Sequence, residues 1–186
     1  MPLGSSITSN GVNFSLVASN AEYVEILLFD KEDAVTPKSI FKLNSVHKTG
    51  PYWHAEIIDL KEGAIYAFRV KQKDNGINQN YFKTVLIDPC SRGITGWGKY
   101  KRINALKNID NTASCLKSVV CERNFFNFKD FPRPKHSWEE TIIYELHIKA
   151  FTQGANEEDS CFKNFIKKIP YLKELGITSI ELLPVF

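Results

Sequence analysis

The side chains able to do chemistry are few and widely spaced. Cys90, Cys115, Cys121 and Cys161 form no CxxC pair and have no metal-ligand spacing with a histidine, so they read as buried or half-buried thiols of a reducing compartment. His47, His54, His136 and His147 stand singly, and spacing builds neither a zinc set nor a nucleophile–base pair from them. Gly93-Ile94-Thr95-Gly96-Trp97-Gly98 has glycines spaced as in a phosphate loop, but the GKS/GKT ending is missing and no helix of convincing period follows, which leaves a turn. Lys99-Tyr100-Lys101-Arg102 interleaves charge with an aromatic ring, as a single-strand-binding stripe does, yet so short a run reads better as a solvated loop. Asn13-Phe14-Ser15 matches a glycosylation sequon but lies inside a strand pattern and is set aside. No metal and no cofactor is expected from these residues.

The composition agrees. The 186 residues are 43% hydrophobic and 24% charged, as in a globular chain. With 24 basic against 21 acidic side chains the net charge is +3, too small for a chain whose main task is neutralising phosphates, so nucleic acid is not an expected partner. The longest apolar runs, such as Ile26-Leu27-Leu28-Phe29, are strand-sized, and Met1-Pro2-Leu3-Gly4 has neither a basic region nor an apolar stretch of signal-peptide length. The reading is a soluble, cytoplasmic protein with no membrane partner. A complete (β/α)8 barrel takes roughly 250 residues, so this length cannot hold one beside a second domain.

The elements that must position any site change class along the chain. Val12, Phe14 and Leu16 alternate with Asn13 and Ser15, the period-2 pattern of a strand with one buried face. Residues 23–29, 39–43, 52–58, 65–71 and 84–87 continue the series, with Gly, Pro and Asn at the breaks. Short strands at this spacing predict an all-β, immunoglobulin-like antiparallel sandwich over residues 1–90. Residues 91–140 show little periodicity but carry the aromatic run Phe125-Phe126-Asn127-Phe128 and Pro132-Arg133-Pro134, which predicts a connector wrapping over a surface. Residues 141–148 (TIIYELHI) are β-branched and aromatic, a buried-type strand. Phe162, Phe165, Ile166, Ile169, Leu172 and Leu175 then recur at helical spacing, with Gly176 as the C′ residue and Pro170 predicting a kink or two helical pieces. Residues 177–185 form a second buried-type strand, so residues 141–186 read as a βαβ unit with parallel strands and a right-handed crossover.

Five segments carry a family resemblance: PLGSSITSNGVNFSLVASNAEYVEILLFD, TGPYWHAEIIDLKEGAIYAFRV, KTVLIDP, SWEETIIYELHIKAFT and KKIPYLKELGITSIELLPVF. In this order, and over nearly the whole chain, they resemble the isoamylase-type glycogen debranching enzymes of the α-amylase superfamily, glycoside hydrolase family 13. Lys149-Ala150 stands where Arg-Gly is usual in that family, a mild departure. The resemblance implies a family 48 carbohydrate-binding module over residues 1–90, the connector over 91–140, and the first β-α-β unit of an incomplete (β/α)8 catalytic barrel over 141–186. It implies glycogen or another branched α-glucan as partner, and carbohydrate metabolism by hydrolysis of α-1,6-glycosidic bonds.

Retaining hydrolysis needs two carboxyl groups about 5 Å apart, one as nucleophile and one as general acid. In the family these come from barrel strands four and five, with further Asp and His residues from strands three and seven. No Asp or Glu of this chain matches them, so no catalytic residue is assigned and the chain alone is expected to be inactive. Two readings stand: the N-terminal part of a debranching hydrolase, or a stand-alone α-glucan-binding or interaction module.

Two tyrosines are the candidates for substrate contact. Tyr144 lies in the YELH-type motif, whose tyrosine lines the sugar cleft of the related branching enzymes; packing in the barrel is the competing reading. Glu145 and His147, on the same strand, read as structural. Trp53 would be a sugar-stacking platform, but it shares a strand face with Ala55 and Ile57, opposite Tyr52, His54 and Glu56, which favours core or interdomain packing. Tyr52 is therefore the better exposed candidate.

Overall fold

The computed structural model of the chain describes residues 2–73, 81–107, 109–122, 131, 133–154 and 160–185. Contacts divide the chain into two units, residues 1–125 and 126–186. In the first unit β1 (Gly4–Ile7), β2 (Gly11–Val17), β3 (Ala21–Phe29), β4 (Ser39–Leu43), β5 (Lys48–Thr49), β6 (Tyr52–Ile58) and β7 (Ile65–Gln72) are followed by β8 (Gly93–Thr95), the helical turn α1 (Arg102–Ala105) and β9 (Lys117–Val119). They build a four-stranded sheet in the order β1-β2-β6-β5 and a five-stranded sheet in the order β4-β3-β7-β9-β8. Every pairing in both sheets is antiparallel.

Period-2 burial explains the sandwich. Val12, Phe14, Trp53 and Ile57 of one sheet meet Val24, Ile26, Tyr66 and Phe68 of the other in a single core. At Gly11 the backbone of β6 comes so close that a Cβ would lie 2.1 Å from the Ile57 carbonyl oxygen, so only glycine fits. The opposite face of the five-stranded sheet is covered as well, because Val85 and Cys115 pack on Leu27, Phe29 and Ala67.

Residues 84–87 do not make the sixth strand that their pattern suggests; only Leu86 bridges Phe68, with both backbone hydrogen bonds at 2.8 Å. The reason is competition for one edge: β9 pairs with Ile65 and Tyr66 of β7 and leaves Phe68 for Leu86. The segment is fixed instead by side chains. Asp88 is only 1% exposed, and its carboxylate accepts from Tyr66 Oη (2.6 Å) and from the Cys90 backbone N–H (2.8 Å). The Asp88 N–H donates to Ser118 Oγ at 2.9 Å. Asn111 pairs with Val85 like a strand, accepting from its N–H (2.7 Å) and donating to its carbonyl (3.2 Å). Lys117, 2% exposed, donates to the carbonyls of Glu32 (2.9 Å) and Thr112 (3.4 Å) with its ammonium over the Phe29 ring.

Strands β8 and β9 thus lie in a stretch whose sequence shows no strand period, each being three residues long. The aromatic run Phe125-Phe126-Asn127-Phe128 and Pro132 fall outside the described residues.

The second unit contains β10 (Ile143–Leu146), the helical turn α2 (Ile148–Phe151), α3 (Cys161–Glu174) and β11 (Ser179–Leu182), with β10 parallel to β11 from Ile143↔Ser179 onward. Leu146, Ile148, Phe165 and Leu172 form its core, with Tyr144, Phe151, Ile169 and Ile177 around it. Ser160 Oγ accepts from the Lys163 N–H and caps α3. At the other end Gly176 has φ 87°, and the Ile177 and Gly176 N–H groups donate to the carbonyls of Leu172 and Lys173, a Schellman closure. Of the two expectations for Pro170, a kink or two helical pieces, the second does not hold, because Pro170 lies within one continuous helix. The strands are also less buried than their composition suggests: Ile143 is exposed on the face opposite Tyr144 and Leu146, and Ile180 and Leu182, beside those two in register, are exposed because the single helix leaves part of its own face open. All four cysteines are free; Cys115 is buried and Cys121 half-buried, whereas Cys90 and Cys161 are exposed, contrary to the sequence reading. Among the described residues no helix is long and apolar enough to cross a membrane.

Burial, and then the hydrogen bond to Asp88, hold the ionisation of the Tyr66 phenol well above its usual range. The unfolded chain therefore releases this proton first, so the stability from Tyr66 is complete below about pH 10 and is lost as pH rises further. Urea titrations from pH 8 to 11 are expected to show a fall in stability that Tyr66→Phe makes shallower. Asp88→Ala, which leaves buried donors unpaired, is expected to lower stability by about 2–4 kcal/mol in the same assay at neutral pH.

Candidate functional site

Strand alternation sorts the side chains of β6 onto two faces. Trp53 points inward, 1% exposed, and its indole N–H donates to the Ala18 carbonyl at 2.9 Å. It is a core residue, as its strand face predicts. Tyr52, 45% exposed, lies at the start of β6 and faces outward with His54 and Glu56.

Register brings partners to Tyr52 that lie far away in sequence. Thr49 of β5 and Val17 of β2 are its direct cross-strand neighbours, and Ser15 is opposite His54. Thr49 Oγ1 and His54 Nε2 share a hydrogen bond of 2.9 Å. Leu3, Ser15, Thr49, Tyr52 and His54 line a cleft of about 460 Å³ on this outer face. Farther along the same face, Thr8 Oγ1 donates to Glu56 Oε1 at 2.5 Å. The cleft thus combines one flat phenol ring, two hydroxyls and an imidazole with no ion pair. Such a set suits a neutral, hydroxyl-rich ligand: the ring covers an apolar face, and the hydroxyls and imidazole can each donate or accept. Among the described residues no three His, Cys, Asp or Glu side chains converge to hold a metal ion.

Tyr144, the other candidate, belongs to the second unit and is not brought into this cleft. It is half-buried on β10, and its ring meets Phe151 edge-on at 5.9 Å. Its neighbour His147 caps α2, Nδ1 accepting from the Ala150 N–H at 3.3 Å, which is a structural task. Glu145 is exposed and stands beside Glu181 in the strand register.

Sequence reasoning finds Tyr52 and passes over Leu3, Ser15, Thr49 and His54 as its companions. The alternation of Tyr52 with His54 could have grouped those two. Leu3, Ser15 and Thr49 arrive through strand pairing and chain proximity, which no local pattern announces.

Residues 2–91 match the family described as Carbohydrate-binding module 48 (Isoamylase N-terminal domain). The chain is similar to the glycogen debranching enzyme of Pectobacterium atrosepticum, 31% identical over 198 residues that cover 99% of this chain and 29% of that protein. It is 33% identical over 199 residues to the glycogen debranching enzyme of Enterobacter sp. (strain 638), covering 100% of this chain and 29% of the relative. Among solved structures, the Group B Streptococcus pullulanase in complex with maltotetraose aligns with 100% of this chain and 24% of its own, with a TM-score of 0.71. At 22% identity that likeness is one of fold. The chain spans 29% of the length of the curated relatives it matches.

The two faces of β6 separate cleanly by mutation. Trp53→Ala, which empties a core site, is expected to cost about 3–5 kcal/mol. Tyr52→Ala, on the open face, is expected to leave the thermal midpoint within about 2 °C of the parent. Thermal unfolding followed by circular dichroism checks both.

Proposed function

We propose that this chain, whose residues 2–91 match the family 48 carbohydrate-binding module, is the N-terminal part of a glycogen debranching enzyme and that it binds branched α-glucan, glycogen foremost. The contact surface is the outer face of the four-stranded sheet around Tyr52. The observation that carries this reading is the Tyr52 cleft: an exposed ring beside Ser15, Thr49 and His54, within the residues that match the module. A pyranose lies on the phenol face, and its hydroxyls exchange hydrogen bonds with Thr49, His54 and the Tyr52 hydroxyl. Tyr144, half-buried in the second unit, is a further candidate contact. The maltotetraose bound in the streptococcal pullulanase is the same class of ligand.

The second unit supplies the first β-α-β of a (β/α)8 barrel; the parallel pairing of β10 with β11 and the helix α3 between them support this. The domain division is then a module over residues 1–90, a connector over 91–140 and the barrel start over 141–186. Hydrolysis of α-1,6 bonds belongs to a longer protein of this family, in which further strands bring the two carboxyl groups of a retaining glycosidase. These 186 residues alone are a binding part without hydrolase activity. Four free thiols fit a cytosolic setting.

Affinity electrophoresis in glycogen-containing gels tests the binding. Migration of the chain is expected to be retarded, and Tyr52→Ala to weaken the apparent affinity about five- to tenfold; an unretarded parent would overturn the reading. Incubation with branched glucan is expected to release no reducing ends, and their appearance would contradict the non-catalytic assignment.

A further inference from the structure

A second aromatic feature of the first unit lies at the end of the other sheet. Just after β8, Trp97 stands in a single helical turn between Gly96 and Gly98, 65% exposed, with the ring of Tyr100 edge-on at 6.1 Å. Gly96 has φ 93°, and a Cβ there would lie 3.2 Å from the Cys115 carbonyl oxygen, so this side of the turn is pressed against the chain leading into β9. At Gly98 the opposite holds, with nothing within 4 Å of where a Cβ would be. A cleft of about 530 Å³ runs along both glycines, and its other walls are Lys31, Glu32, Asp33 and Lys99. Asp33 pairs with Lys99 (3.6 Å) and with Lys31 (3.9 Å), and the Thr95 hydroxyl donates to the Glu32 carboxylate.

The wall of this cleft is fixed from behind. Lys117 is buried, and its ammonium donates to the backbone carbonyl of Glu32. Burying an ammonium is costly, and what this one secures is the backbone of an otherwise exposed loop. The loop carries the carboxylates of the cleft, which are thereby preorganised without losing their own exposure.

On the α-glucan reading given above, we propose that the exposed Trp97–Tyr100 ring pair, carried by the turn whose two glycines line this cleft, forms an α-glucan contact site separate from the Tyr52 face. The indole offers a flat apolar surface to a sugar ring, and paired carboxylate and ammonium groups offer acceptors and donors to vicinal hydroxyls. The volume suits an oligosaccharide of about two or three rings. Two contact sites on different sheets of one unit favour a branched polymer over a short oligosaccharide, because the second contact forms at high effective concentration.

The test uses the full chain, with glycogen gels for affinity and maltoheptaose for fluorescence. Trp97→Ala is expected to weaken glycogen retardation about fivefold, Trp97→Phe to retain most of it, and both to keep the parent's thermal midpoint. In the Trp138→Phe background Trp97 is the exposed indole and Trp53 the buried one. Maltoheptaose should shift the emission of that protein to shorter wavelength, and the shift should vanish when Trp97→Phe is added. Parent-like migration of Trp97→Ala together with no emission shift would overturn this second site, while retardation lost in Tyr52→Ala would leave the first site standing. An unretarded parent whose Trp97 emission still shifts would overturn the Tyr52 reading and support this one. A Trp97→Ala variant altered only in self-association by sedimentation would mark a protein-docking surface and overturn the proposal.

Discussion

A buried carboxylate organises the first unit. At Asp88 water is excluded, so each oxygen must find a protein donor, and Tyr66 Oη–H and the Cys90 N–H supply them. Ser118 completes the set by accepting from the Asp88 N–H. These partners come from β7, from the turn after Leu86 and from β9, so a single side chain ties the returning segment to the sheet. An isolated buried carboxylate carries a penalty of several kcal/mol, which makes a half-formed version of this junction unfavourable. The returning segment is then either seated or lost as a whole.

Seating that segment decides which surface of the sandwich stays open. Val85 and Cys115 cover Leu27, Phe29 and Ala67, Asn111 holds Val85 by both amide atoms, and Lys117 ties β9 to the loop after β3. The outer face of the five-stranded sheet becomes a second small core and is closed to a polymer there. Among the described residues of the first unit nothing covers the outer face of the four-stranded sheet in this way around the Tyr52 cleft, and its outward side chains there mix Ser15, Thr49, Tyr52 and His54 with the exposed Val17. Placement of the candidate binding face follows from where the later segment lies as much as from the residues on the face.

The second unit follows the same rule with fewer layers. One helix against two parallel strands buries Leu146, Phe165 and Leu172 but leaves Ile143, Ile180 and Leu182 in solvent. Tyr144 points into the covered side, which is why its ring is engaged with Phe151. The tyrosine of this motif is thus a packing residue at the rim of its unit's core.

Several features were legible in the residues themselves. Period-2 alternation placed Trp53 in the core and Tyr52 outside it, helical spacing marked α3, and Gly176 marked its end. These are local properties, because a strand or helix imposes its own repeat on whatever sequence it carries. The unbroken passage of α3 through Pro170, the exposure of Cys90 and the small strands β8 and β9 were not legible, since packing and edge competition decide them. The site shows the same division. Sequence alone determined that an aromatic ring, Tyr52, would stand on the open side of its strand. Only the tertiary structure decided that Leu3, Ser15, Thr49 and His54 stand around it and that a buried lysine braces the loop facing Gly96 and Gly98 across a second cleft. The physical reason is range: side-chain direction is set within two residues, whereas register and loop placement depend on contacts dozens of residues apart.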